Sequence, residues 1–148
     1  SNTHILFKSL EKLVLRKKMH NNVVETTLDK PSKNIKFGNS SKISFHSAET
    51  VSKNKANLIS VDFKKLLFPL KLRNVKNGDY FFPIGMIGKK KVVKFLKDRK
   101  INSVDKFNKL VLVNGDDEII WVVGMRLDRR FSVSDGSKKI IDIKIDND

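Results

Sequence analysis

The chain has 148 residues, room for one domain and an arm, and no cysteine, which excludes disulfides and thiolate metal sites. Its 31 Lys and Arg against 16 Asp and Glu leave a net charge of +15. The ordinary use of such a surplus is to hold a polyanion, nucleic acid first and an anionic membrane surface second.

Residues 4–18 carry Ile5, Leu6, Leu10, Leu13 and Val14 at helical spacing, with Thr3 placed to cap the start. This predicts an N-terminal helix. Residues 19–34 are polar, contain Pro31, and read as a loop or frayed strand. Residues 35–37 and 42–45 alternate on either side of Gly38-Asn39-Ser40-Ser41, a hairpin pattern. A polar loop is expected over 46–57, then a strand over 58–63. The apolar run 66–72 is interrupted by Pro69, which cannot donate to a ladder, so an edge or a bulge is expected there. Lys76-Asn77-Gly78-Asp79 reads as a turn.

The most informative stretch follows. Tyr80, Phe81 and Phe82 are closed by Pro83, and Gly85 and Gly88 precede a lysine run. A helix is predicted over 89–100. Val92, Val93, Phe95 and Leu96 would gather on its inner side and Lys90, Lys91, Lys94 and Lys97 on its outer side. Most charge runs are merely a solvated face; the charge of the whole chain favours a surface that meets phosphates. A helix start near Gly88 would add free N–H groups and a positive dipole end.

Residues 103–109 read as a short turn or helix. Strands are expected at 110–113 and 119–123, joined through Asn114-Gly115-Asp116-Asp117, since Asn-Gly between apolar runs is a strong hairpin signal. Two more are expected at 131–133 and 139–145, with Asp135-Gly136 turning between them; in the last, Ile141, Ile143 and Ile145 alternate with Asp142 and Lys144. Some seven short strands, one central basic helix and one N-terminal helix make an α+β domain dominated by strands. Residues 1–57 form a junction region and 58–148 the principal domain. The chain opens on Ser1-Asn2 rather than Met and is expected to be a piece of a longer protein.

Catalytic patterns are thin. A phosphate-binding P-loop would need glycine where Pro83 stands and Ser or Thr where Lys90 stands. His4, His20 and His46 are dispersed, with no second ligand at metal spacing. Asp116, Asp117 and Glu118 are better read as solvating a turn than as an acid–base pair. No serine sits with a base as a nucleophile would. The 119–123 run is far short of the ~18 residues that cross a bilayer, and no secretory signal pattern is visible. A cysteine-free, basic chain of this kind fits the cytoplasm, with no membrane partner.

Residues 58–145 resemble the C-terminal domain of bacterial tRNA(Ile)-lysidine synthase. The resemblance rests on Pro69-Leu70-Lys71-Leu72-Arg73-Asn74, on Gly78-Asp79-Tyr80-Phe81-Phe82-Pro83-Ile84-Gly85-Met86-Ile87-Gly88-Lys89-Lys90-Lys91, and on Phe95-Leu96-Lys97-Asp98-Arg99-Lys100-Ile101. It continues through Leu112-Val113-Asn114-Gly115-Asp116 and Ile119-Ile120-Trp121-Val122-Val123-Gly124-Met125-Arg126-Leu127-Asp128-Arg129-Arg130-Phe131. The chain departs from the family at Val75, usually Trp, and at Arg129, usually a second Asp.

The resemblance implies a fold similar to a β-rich domain of the phenylalanyl-tRNA synthetase β chain. It implies a role in binding an isoleucine tRNA near its acceptor stem, beside the catalytic N-terminal domain of the same enzyme. That enzyme is a ligase that uses ATP and magnesium to attach lysine to the wobble cytidine. Its Ser-Gly-Gly-x-Asp-Ser loop is not in this chain, so no cofactor and no catalytic residue is expected here. The expected tRNA-binding set is Gly88, Lys89, Lys90, Lys91, Lys94 and Lys97, with Arg73, Arg126 and Arg130. The alternatives are a structural spacer or a general RNA-binding module.

Overall fold

The structure is a computed structural model that describes residues 24–38, 40–52 and 55–147. The helix expected over 4–18, with His4 and His20, lies outside these.

Eleven strands form three sheets among the described residues. The first sheet takes β1 (Glu25–Leu28), β5 (Leu70–Asn74), β8 (Leu110–Val113), β9 (Ile119–Val122) and β10 (Arg126–Leu127), in that spatial order. The second takes β2 (Ile35–Phe37), β3 (Ser41–Ala48), β11 (Ile140–Asn147) and β4 (Leu58–Asp62). A two-stranded ribbon pairs β6 (Tyr80–Phe81) with β7 (Lys90–Lys91). One α-helix, α1 (Val92–Asp98), follows the ribbon directly.

The side chains sort into three layers. Leu72, Leu112, Ile120 and Trp121 of the first sheet meet Phe45, Ile59, Val61, Ile141, Ile143 and Ile145 of the second in one core. On the opposite face of the first sheet, Val111, Val113, Ile119 and Val122 pack against Phe81, Val92, Phe95 and Leu96 of the ribbon and helix. The first sheet is thus covered on both sides. That explains why β9 is apolar at every position instead of alternating. A register irregularity between Leu112 and Val113 pairs these residues with Trp121 and Ile119. Ile120 is the extra residue, and it joins Trp121 on the same face. Trp121 therefore sits between the two sheets, 1% exposed, and not under the basic helix.

Several expectations are corrected. Pro69 marks neither an edge nor a bulge: it precedes β5, which is an interior strand paired with both β1 and β8. Residues 131–133 are not a strand. Asp128 accepts the Arg130 N–H at 2.8 Å and caps a 3-10 turn over Arg129–Phe131, which buries Phe131. The loop-or-frayed-strand segment holds β1, and β6, β7 and β10 are too short to show a period. The basic helix begins at Val92 rather than at 89, because Lys90 and Lys91 are spent pairing with Phe81 and Tyr80. It stops where Lys100 takes a left-handed φ of 63°. The Ile101 N–H then returns to the Leu96 carbonyl at 3.0 Å and the Lys100 N–H to Lys97 at 2.9 Å, the paired bonds of a Schellman end.

Candidate nucleic-acid interface

The ribbon and the helix make the outermost layer, and the expected site residues divide on it. Tyr80 and Lys91 face each other across the ribbon, both exposed, while Phe81 is buried beneath. Lys94 and Lys97 project from α1, whose Val92, Phe95 and Leu96 are buried against the first sheet. Lys89 is exposed, and its ammonium lies 4.5 Å from the centre of the Tyr80 ring. Among the described residues no carboxylate forms an ion pair with Lys89, Lys91, Lys94 or Lys97. Lys90 is half-buried. Gly88, with φ of 79°, turns the chain into the ribbon. It does not open the helix: the first helical N–H, of Val92, donates to the Asp79 carbonyl at 2.9 Å. The helix end expected near Gly88 therefore lies four residues further on, at Val92.

The three arginines are held differently. Arg73 forks onto Asp79 at 2.9 and 3.0 Å and donates to the Asn74 carbonyl. Asp79 also accepts the Lys76 N–H at 2.8 Å, so this pair braces the 76–79 turn. Arg130 grips Asp128 with Nε and Nη2 and meets Glu118 at 3.1 Å. Burial disfavours its charge, but the hydrogen bonds and charge of Asp128, then Glu118, outweigh burial and raise its pKa above the usual guanidinium range. Arg126 has no carboxylate partner among the described residues. Its Nη1 donates to the Ile84 carbonyl at 3.0 Å, and its guanidinium lies over the Phe95 ring.

Asp128, fully buried, is the centre of this arrangement. It accepts from the Phe82 N–H at 2.9 Å and the Arg130 N–H and side chain. The Ile84 N–H donates to Leu127 and the Arg129 N–H to Phe82, which stitch the 82–86 loop onto β10.

Sequence reasoning missed some members of this surface. Arg99 lies 3.8 Å from the centre of the Phe95 ring, four residues earlier on the helix, a spacing that was there to be read. Burial first, then the nearby Arg126 charge, lower its pKa, with Asp98 opposing. Arg129 and Arg130 both lie over Phe82, at 5.3 and 4.5 Å, and Phe82 meets Tyr80 edge-on. Ile87, at the loop tip between the two glycines, is 92% exposed. Asp116 accepts the Glu118 N–H and Asp117 has φ of 69°, so this acidic trio shapes the hairpin turn. Among the described residues no group of three His, Asp or Glu side chains is placed to hold a metal.

Residues 70–145 match a profile of the TilS substrate C-terminal domain. The chain belongs to that family. Similar proteins include the tRNA(Ile)-lysidine synthase of Parabacteroides distasonis, 41% identical over 91 residues, and that of Bacteroides thetaiotaomicron, 39% identical over 84. These alignments take in 62% and 57% of this chain but 20% of each relative, so the chain spans about a fifth of the length of those relatives. Among solved structures, a crystal structure of a TilS C-terminal domain superposes with a TM-score of 0.69 at 19% identity, over 83% of this chain and 97% of that one. An N-terminal fragment of the Pyrococcus horikoshii phenylalanyl-tRNA synthetase β-subunit superposes at 0.50 with 15% identity, over 60% of this chain and 27% of that one. Both likenesses concern the fold. As a TilS C-terminal domain, the chain keeps Val75 in the core beneath α1.

Proposed function

We propose that this domain binds an isoleucine tRNA for a tRNA(Ile)-lysidine synthase, holding the acceptor-stem duplex through its phosphates. The observation that carries the reading is the outer layer itself. Lys89, Lys91, Lys94 and Lys97 stand exposed, without acidic partners among the described residues, on a chain of net charge +15. Lysine is a compact point charge suited to backbone phosphates. Such contacts set affinity and register without reading sequence. Lys90, half-buried, and Arg126 flank this face; Arg73 and Arg130 act through the turns they brace. The ligation of lysine, with ATP and magnesium, belongs to the catalytic domain of the same enzyme, in the cytoplasm.

The test is a footprint of the chain on the isoleucine tRNA. Protection of the acceptor stem is expected. Protection confined to the anticodon loop would overturn the assignment, and no binding at all would leave a structural spacer.

A further inference from the structure

The ribbon carries an aromatic ring among its lysines that a grip on phosphates does not require. Side chains alternate across such a ribbon. Phe81 pairs with Lys90 and is buried against the first sheet. Tyr80 and Lys91, the neighbouring pair, therefore stand on the outer face, and Tyr80 is 46% exposed. Its ring is nonetheless set in place. It packs edge-on with Phe82, 6.4 Å between centres and at 82°, and Phe82 is held in turn by Arg129 and Arg130. The face of the Tyr80 ring is reached from solvent, because the Lys89 ammonium lies over it on a long, exposed side chain. Beside the ring opens a cleft of about 270 Å³, lined by Tyr80, Arg130 and the 116–118 turn.

Duplex RNA offers lysines its phosphates but hides the faces of its stacked bases. An exposed ring, fixed before binding and set among cations, is the arrangement that holds an unpaired base. We propose that Tyr80 stacks one unpaired nucleotide at the end of the RNA duplex that the lysine face holds. This rests on the tRNA-binding reading above and adds to it a contact with single-stranded RNA. A base arriving on the ring displaces the Lys89 ammonium toward the nucleotide's own phosphate. The cleft sets which end goes where. Asp116, Asp117 and Glu118 line it, and carboxylates repel a phosphate but accept from the amino group of a base such as cytosine. The edge of the base therefore points into the cleft, and the phosphate stays with Lys89 and Lys91.

The experiment measures the affinity of the chain for three RNA hairpins with the same stem. One is blunt, one ends in a short 3′ strand of cytidines, and one ends in the same sugars and phosphates without bases. The cytidine-ended hairpin is expected to bind about 5- to 150-fold more tightly than the abasic one, the range for stacking of one base. Tyr80→Leu should abolish that difference and Tyr80→Phe should keep it. Tyr80 is the one tyrosine of the chain, so its ring resonances report on the site. They should move upfield with the cytidine-ended hairpin and not with the abasic one. Equal affinity for these two hairpins would overturn the stacking proposal, and the duplex reading would stand if the blunt hairpin binds. Retention of the difference in Tyr80→Leu, or its loss in Tyr80→Phe, would likewise overturn it. Failure of all three hairpins to bind would overturn both readings.

Discussion

At the scale of single residues, Asp128 is the position on which the outer layer depends. Its carboxylate is out of water and accepts hydrogen bonds from the backbone of two loops and from the Arg130 side chain. Asp128→Ala would leave the Phe82 N–H without its acceptor and Arg130 half-buried without its main counter-charge. A loss of about 3–5 kcal/mol is expected, read by denaturant titration. A loss under ~1 kcal/mol would show that water replaces the carboxylate readily. Gly115 teaches a different lesson. The Asn-Gly pair reads as a hairpin turn, and the turn is there, but the left-handed residue is Asp117. Gly115 is needed because a Cβ would stand 2.4 Å from the Leu67 carbonyl oxygen, to which its own N–H donates at 2.7 Å. Such an approach between segments far apart in the chain cannot be read from local turn chemistry. Gly115→Ala should therefore destabilise by roughly 1–3 kcal/mol through overpacking. Lys100 should respond in the opposite sense. It ends α1 in the left-handed region, where a side chain is unfavourable, so Lys100→Gly is expected to stabilise by about 0.5–1 kcal/mol.

At the scale of elements, the basic segment was legible in its faces but not in its bounds. Val92, Phe95 and Leu96 do turn inward and Lys94 and Lys97 outward. What the helical period could not reveal is that Lys90 and Lys91 pair with a strand of only two residues. A ribbon that short has no period of its own, and its existence depends on the first sheet beneath Phe81. The same limit hid β10, and the 3-10 turn at Arg129–Phe131 was hidden because it needs the buried Asp128 cap. The lysine face yields a test that belongs to the element as a whole. Replacing Lys90, Lys91 and Lys94 by Glu should weaken tRNA binding strongly and flatten its salt dependence, by about one unit of log–log slope for each phosphate that is no longer neutralised. Lys91 and Lys94 are exposed and Lys90 half so, so the melting temperature should move little. Unchanged affinity in a folded variant would remove the face from the binding surface.

At the scale of the whole molecule, the strand-dominated α+β class was legible because most strands alternate or run apolar between clear turns. The layering was not. Which face of a doubly covered sheet a residue occupies depends on the bulge at Ile120, and that offset set Trp121 in the inter-sheet core instead of beneath the helix. Trp121→Ala should cost about 3–5 kcal/mol, and the emission maximum of the free chain should be that of a buried indole. A maximum typical of exposed indole would contradict the packing.

The position of β11 has a consequence in time. It is the last strand of the fold in chain order, yet it lies between β3 and β4 and pairs with both. On a ribosome, residues 63–139, which separate β4 from β11, take roughly 4–15 s to synthesise at about 5–20 residues per second. Throughout that interval β3 lacks a partner along one edge and β4 lacks its only strand partner, the condition in which strands of different chains find one another. The first sheet, whose strands are all made by Leu127, can close while the second waits. Nascent chains stalled before Ile140 should accordingly protect the first sheet and leave the second open to protease, and the step most exposed to aggregation is the wait for a single strand.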